Sequence, residues 1–418
     1  MRVIINLHPL GGTSKTGVFR VADEIAQGLG ARLTSNLIAH SITSTYHSHL
    51  YFRKYLYPLK CYAALNTISS IFLPISKIVE LINRKLNHNS GVVFRIARKI
   101  TMLTQNSLDL LASRIPENIL ANSDIYHSPF SKIPNQIRSR KRIKRFITIH
   151  DLIPITNPEF FDKKTVIMVR EIMESLDKDD HVFCVSKATR TTLLKYSVCD
   201  PDKVLVIPLA ASNHFYPAKD LVKNQKVLRK YGIQINNYIL TLCTLEIRKN
   251  IEIVIRAFIK LHVHKLIPPN THLVLVGGKG WKTKNIEAAL SAAAPFRDKI
   301  LMPGFIPDED IAVIYSSAKV FVYMSYLEGF GLPPLEAMQC GTPVITSNTS
   351  SLPEVVGTGG TMLNPDDIDG LIHELHKIYR TPAYHHEMSN RALERSRHFS
   401  WERFISHTLD AYQAALHK

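Results

Sequence analysis

Cysteine is scarce in this chain. There are five in 418 residues, at positions 61, 184, 199, 243 and 340, an odd number with no CxxC pair and no metal-ligand spacing. That excludes a disulfide scaffold and any structural zinc framework, and the expectation is reduced, buried thiols in a cytosolic protein. Long apolar runs are missing too. The nearest, residues 61–76, is broken by Asn66, Thr67, Ser69 and Ser70, so it reads as a buried or interfacial helix and no spanning helix is expected. Residues 1–7 lack the long apolar core of a secretory signal and read as a strand. There is no Walker A string. Nor is there a glycine-rich dinucleotide fingerprint with an acid about 20 residues on, which argues against an oxidoreductase. RNP, zinc-finger and basic-zipper patterns are also absent, so no nucleic-acid partner is expected.

Acidic residues are the last shortage, with 35 Asp and Glu against 52 Lys and Arg and a net charge of +17. Such a field implies an anionic partner. Residues 138–145 carry six cations, and between positions 51 and 100 nine cations face one acid, Glu80. The apolar and aromatic residues interleaved around 51–81 point to an anionic membrane surface.

What is present is a regular alternation. Short Val/Ile-rich runs at 3–7, 146–149, 182–185, 204–207, 239–242, 273–276, 320–323 and 344–346 are separated by helix-like segments. Continuous apolar strands between helices argue for parallel α/β sheets covered on both faces. The alternation resets in a polar stretch near 213–237. The expectation is two tandem Rossmann-like domains, 1–212 and 213–398, with a helical basic region at about 40–120. An amphipathic helix over 399–418, capped by Ser400, completes the chain.

The densest motif is Glu328-Gly329-Phe330-Gly331-Leu332-Pro333-Pro334-Leu335-Glu336. It reads as strand, tight loop and helix start, a place where backbone N–H groups and a helix dipole converge on a diphosphate. Glu328 sits at the loop mouth and Glu336 on the first turns of the helix. One carboxylate can hold ribose hydroxyls while the other holds a second ring. Three other strand ends carry polar residues toward the same kind of crevice. Gly11-Gly12-Thr13-Ser14-Lys15-Thr16-Gly17 precedes a helix from about Val18. His150-Asp151 follows a strand, where His150 is placed to touch a sugar, although a lone histidine is more often structural and could simply cap the strand. Arg248-Lys249-Asn250 reads as a diphosphate clamp or a surface basic pair, with Asn250 as helix cap. Asp177-Lys178-Asp179 matches a metal-binding Asp-X-Asp literally but lacks a buried strand before it, so it reads as a solvated helix face. No metal site is expected.

The string 328–337, its continuation Met338-Gln339-Cys340-Gly341-Thr342-Pro343, and Ser351-Leu352-Pro353-Glu354-Val355-Val356-Gly357 resemble the signature of retaining GT-B glycosyltransferases, the glycosyltransferase-4 group. Ile149-His150-Asp151-Leu152-Ile153-Pro154, Asp124-Ile125-Tyr126-His127-Ser128-Pro129-Phe130, Ser186-Lys187-Ala188 and the glycine loop with Gly12 and Gly17 continue the resemblance in family order. Cys243 and Ile247 stand where that family usually has glycine and proline.

The resemblance implies a GT-B fold with a cleft between two domains and a C-terminal helix packing back on the first. It implies an acceptor bound by the first domain, a sugar nucleotide by the second, and no cofactor beyond that donor. It assigns Lys249 and Arg248 to the donor phosphates, Glu328 and His150 to the donor sugar, and Glu336 to the ribose. Phe305 and Ile306 fall to the nucleobase, and Gly329, Phe330, Gly331 and Leu332 to the loop around the donor. The nearest likeness is to bacterial mannosyltransferases of O-antigen, capsule or exopolysaccharide assembly acting on a glycan or lipid-linked acceptor. GDP-mannose is the first expectation for the donor, with a dTDP- or UDP-sugar as the alternative. A non-catalytic scaffold of the same shape would be expected to lose the clamp or Glu328, and both are here.

Overall fold

The branched side chains of the apolar runs pack well on a pleated surface buried from both sides, and each run becomes a strand. The computed structural model describes residues 1–11, 17–41, 51–63, 114–234, 237–278, 280 and 283–417, with single positions at 78, 82 and 99. Gly12 and most of the basic stretch at 40–120 fall outside them. In the first half the strands are β1 (Val3–Asn6), β2 (Leu37–His40), β3 (Tyr62–Ala63), β4 (Ile125–Ser128), β5 (Lys144–Ile149), β6 (His181–Cys184) and β7 (Val204–Val206). They form a seven-stranded sheet in the order β3-β2-β1-β4-β5-β6-β7. In the second half, β8 (Tyr238–Leu242), β9 (His272–Val276), β10 (Ile300–Gly304), β11 (Val320–Tyr323), β12 (Val344–Ser347) and β13 (Thr361–Leu363) form a six-stranded sheet in the order β10-β9-β8-β11-β12-β13. All pairings are parallel. In each sheet the order reverses at its first strand, which opens a crevice beyond the strand C-termini at β1/β4 and at β8/β11.

The helices that bear on the site are α1 (Gly17–Leu33), α2 (Lys163–Glu174), α3 (Lys187–Tyr196), α4 (Leu221–Arg229), α5 (Ile251–Val263), α6 (Asp308–Ser316), α7 (Leu332–Gln339) and α8 (Trp401–Leu416). Ser186 caps α3 through the Thr189 N–H, and Ser400 caps α8 through the Arg403 N–H. Asn250 does not cap α5. It sits at the cap position with φ +51°, and its side-chain N–H donates to the Pro365 carbonyl, 2.7 Å away. The polar segment between the sheets leans on the second domain, where the Ala218 N–H donates to Ser316 Oγ at 3.0 Å and the Tyr231 hydroxyl to Asp310 at 2.8 Å.

Helix α8 returns to the first domain. Ile405 lies against Gly28 of α1, where a Cβ would stand 2.6 Å from Ile405 Cγ1. Tyr412 is fully buried against Phe146 and Phe183, its hydroxyl 2.6 Å from His127 Nδ1. Thr148 Oγ1 is 2.9 Å from the other ring nitrogen, and burial holds this imidazole down at about 3. His127 is therefore a neutral tie between sheet and C-terminal helix.

The basic cluster at 138–145 and the Asp-X-Asp string, read as a membrane face and a solvated helix face, are partly tied to each other. Arg138 and Arg145 converge on Asp180, fully buried, and on Asp177. The Asp-X-Asp string therefore lies in a turn past the end of α2, and its first aspartate is an ion-pair partner. Of the remaining cations, Arg140 pairs with Glu117 and Arg142 donates to the Ala121 carbonyl. The stretch at 61–76 opens with strand β3 at Tyr62–Ala63, and its remainder lies outside the described residues. Among the described residues no helix is long and apolar enough to cross a membrane.

Candidate functional site

Strand β8 ends into a turn that delivers Arg248 and Lys249 just ahead of α5, and neighbouring β11 ends into the loop carrying Glu328. The two segments meet because β8 and β11 are paired. Lys249 Nζ lies 2.6 Å from Glu328 Oε1 and 2.7 Å from the Tyr323 hydroxyl, which itself donates to Glu328 Oε1 at 2.8 Å. Arg248 adds an ion pair to Glu328 Oε2 at 3.3 Å and another to Glu246 at 2.7 Å. Its Nε–H is buried with no hydrogen-bond partner among the described residues, a donor left over in the site. The Phe161 ring lies 5.8 Å from this guanidinium. Ser350 and Ser351 fix the loop by donating to the Glu328 carbonyl at 2.6 and 2.9 Å.

Burial pushes the Glu328 carboxyl up, but Lys249 and Arg248 outweigh it and hold it down at about 2. A carboxyl depressed on folding contributes stability above its unfolded range near 4.5 and loses it as pH falls through about 2. The contribution is about 3 kcal/mol at neutral pH. Glu328→Gln should therefore be less stable than the parent at pH 6, with the gap closing by about half at pH 3 in urea unfolding. An equal gap at both values would rule the pairing out.

Glycine is required at two loop positions. A Cβ on Gly329 would stand 2.2 Å from the His150 carbonyl oxygen of the other domain, and Gly331 has φ +112° with Leu352 Cδ2 2.8 Å from its would-be Cβ. Gly331 then turns the chain into α7. Phe330 is buried edge-on against Phe399 at 5.9 Å, so it anchors the loop to the segment leading into α8, and Leu332 is half-buried. Glu336, on α7, is buried. Its Oε2 accepts from the Tyr315 hydroxyl at 2.9 Å and its Oε1 lies 3.6 Å from Arg20 of α1.

His150 stands at the C-terminal end of β5. Its Nε2 is 2.8 Å from the Pro129 carbonyl, which can only accept, so Nε2 carries the proton and Nδ1 is left as an acceptor. Burial lowers its pKa, with the carbonyl working against it, so the ring is neutral near pH 7. Beside it a cavity of about 170 Å³ opens in the first domain, walled by Val18, Phe130, Leu152, Phe161, Met168 and Met173.

The sequence-expected residues do not all come together. Phe305 is 71 % exposed and offers a free ring, whereas Ile306 is 4 % exposed and packs into the core, so it has no face for a base. Gly17 opens α1 at the cleft with open space around it.

Sequence reasoning missed the domain crossings. Glu354 caps α3 from the other domain, accepting the Lys187 and Ala188 N–H groups at 2.7 Å each. Ser186 and Thr189 donate to the Gly329 carbonyl at 2.7 and 3.2 Å. Arg20 meets Asp308 at 2.6 Å. One signal for Arg20 was legible, a cation in the first turn of a helix, where the dipole disfavours it.

With this geometry in place, residues 223–395 match the family model described as glycosyl transferases group 1. Over 294 residues the chain is 33 % identical to the O-antigen chain mannosyltransferase B of Escherichia coli, across 69 % of this chain and 74 % of that one. The chain belongs to the group 1 glycosyltransferases. The serotype-specific mannosyltransferase WbdA of Escherichia coli is 31 % identical over 284 residues, 65 % of this glycosyltransferase but 34 % of WbdA. The structure of HepE from Anabaena in complex with UDP and glucose superposes with a TM-score of 0.66 over 99 % of this glycosyltransferase and 100 % of that chain, at 14 % identity. The glycosyltransferase thus has the GT-B fold, two Rossmann-like domains facing across a cleft with the C-terminal helix returned to the first.

Proposed function

We propose that this glycosyltransferase moves mannose from GDP-mannose to a glycan or lipid-linked glycan during assembly of O-antigen, capsule or exopolysaccharide, with retention of anomeric configuration and without a metal ion. The observation that carries the reading is the Arg248–Lys249 pair held against Glu328 at the cleft, with one arginine N–H unspent. The names of the mannosyltransferases above support the sugar. In this reading the bond from the anomeric carbon to the diphosphate breaks, and the acceptor oxygen bonds to that carbon on the same face. The acceptor proton passes to a donor phosphate oxygen. Lys249 and Arg248 take up the charge that grows on the leaving diphosphate. Glu328 and the neutral His150 orient the sugar, Glu336 holds the ribose, and Phe305 faces the base. The apolar cavity beside His150 lies on the acceptor side, and closure of the two domains keeps out competing water. The UDP and glucose held by HepE favour a second reading, glucosyl or rhamnosyl transfer from a UDP- or dTDP-sugar.

A melting-temperature panel of GDP-, UDP- and dTDP-sugars separates these donors, because a ligand bound only by the native state raises the transition. GDP-mannose should give the largest rise, unchanged by EDTA. A larger rise with UDP-glucose, or loss of the rise on chelation, would overturn the corresponding part of the reading.

Peripheral binding to the inner membrane face belongs to the same proposal. The cluster at 138–145 lies by the entry end of β5, opposite the cleft, and two of its arginines are committed to Asp180. Arg53, Lys54, Tyr55, Tyr57 and Lys60 are exposed beside α1, in a segment that packs from the middle of the helix, where Tyr51 meets Asp23, to its last turn, where Leu59 meets Gly30. Replacing Arg53, Lys54 and Lys60 with Gln should weaken salt-sensitive co-sedimentation with anionic vesicles, and more than Gln at Lys141 and Lys144 does. Equal sedimentation with neutral vesicles rules the membrane face out.

A further inference from the structure

Arg20 occupies the first turn of α1, where a cation opposes the helix dipole, so its place calls for another cause. Its side chain is only 32 % exposed and reaches across the cleft into the second domain. Nη2 lies 2.6 Å from Asp308 Oδ1 at the start of α6, and Nη1 lies 3.6 Å from Glu336 Oε1 on α7. The Tyr315 hydroxyl donates to the other Glu336 oxygen at 2.9 Å. The Glu336 carboxylate, 6 % exposed, is thus set by one group of its own domain and one of the other.

We propose that Arg20 is a positioning residue for the donor's ribose. Acting from the first domain, it orients the Glu336 carboxylate, so that the nucleotide site in the second domain is complete only when the two domains close. This rests on the assignment of Glu336 to the ribose. The chemistry is direct. A carboxylate that is to accept two ribose hydroxyls must keep both oxygens as acceptors, and a protonated carboxyl gives one of them up. Burial is the strongest influence on Glu336 and, with Asp308, raises its pKa above the ordinary carboxylate value, while Arg20 and then Tyr315 work against that rise. The Cys340 thiol, at the end of the same helix, is pushed up to about 12 and stays neutral. Among the described residues Arg20 is the one cation in this set, and Asp308 keeps its guanidinium in place. Nucleotide binding in the second domain would then favour the closed cleft, through a contact that the nucleotide itself does not make.

The test is a double-mutant cycle on the full-length enzyme, read by donor kinetics and by calorimetric titration with GDP and UDP. Arg20→Ala should raise the donor KM about tenfold, as loss of a charge-assisted contact does, with kcat within about threefold of the parent. Arg20→Lys should recover part of the loss. In Arg20→Ala the rise in KM on acidification should begin at a higher pH, because losing the cation raises the Glu336 pKa further. In a Glu336→Ala background, removing Arg20 should add nothing, whereas additive losses overturn the proposal. If Glu336→Ala weakens nucleotide binding and Arg20→Ala leaves KM and its pH profile unchanged, the proposal fails while the ribose assignment stands. If Glu336→Ala binds GDP and UDP like the parent, the ribose assignment falls and takes Arg20's role with it.

Discussion

Lys249→Ala should lower kcat about a hundred- to a thousandfold, the loss typical when one preorganised donor to a developing oxyanion is removed. The size follows from where Lys249 sits. Its side chain is about nine-tenths buried, and its ammonium is aligned by the Tyr323 hydroxyl and Glu328. Before the donor arrives, Glu328 and Glu246 balance Arg248 and Lys249, so the pair stands preformed. A diphosphate brings new negative charge to it, and that charge grows as the glycosidic bond breaks. The effect should fall on kcat more than on donor KM, because the interaction strengthens in the transition state. Arg248 remains beside Glu328, so the variant should stay folded, and an unshifted circular dichroism spectrum checks this. Initial rates at saturating donor decide the matter. Turnover within threefold of the parent in a folded variant would remove Lys249 from the chemistry.

Much of the fold was legible because central strands of a parallel sheet are buried on both faces, and their sequences are correspondingly continuous. Val3-Ile4-Ile5 and Val320-Phe321-Val322-Tyr323 announce themselves in this way. The strands that went unread are short or carry polar and turn-forming residues. Ile125-Tyr126-His127-Ser128 hides a fully buried histidine and serine, Ile300–Gly304 contains Pro303 and ends in glycine, and Thr361–Leu363 is a three-residue edge. The local part of the site was legible for a related reason, since a loop between a strand and a helix is contiguous in sequence. What joins the domains was not. Arg20 and Asp308 are 288 residues apart, and Lys187 and Glu354 are 167 apart, so no spacing rule connects them. Cap assignments divided on backbone conformation. Ser186 and Ser400 lie in the extended region that aims an oxygen at the first turn, whereas Asn250 is left-handed and its side chain turns away.

The same limit governs the string that matched a metal motif, and a variant within it and one at the aspartate that follows it should part widely. Asp180→Ala should destabilise the fold by about 3–5 kcal/mol, since removing one partner leaves uncompensated charge in a buried network. Asp180 is fully buried, and it receives Arg145 Nε at 2.6 Å, Arg138 Nη2 at 3.0 Å and the Asp177 N–H at 3.0 Å. Arg145 is itself only 9 % exposed, so its guanidinium would be left buried without its partner. Asp177 would keep part of the network, which favours the lower end of the range. Asp179, two-thirds exposed with a 3.4 Å contact to Lys203, belongs to another regime. Its replacement by Ala should change stability by less than about 0.5 kcal/mol and leave transfer intact, as exposed pairs generally do. Urea unfolding of both variants, with transfer assayed in the presence and absence of Mn²⁺, separates the cases. Loss of transfer in a fully stable Asp179→Ala, restored by excess Mn²⁺, would make the string a metal site. A stable Asp180→Ala would mean that the arginines on β5 and before it are held by something other than this carboxylate.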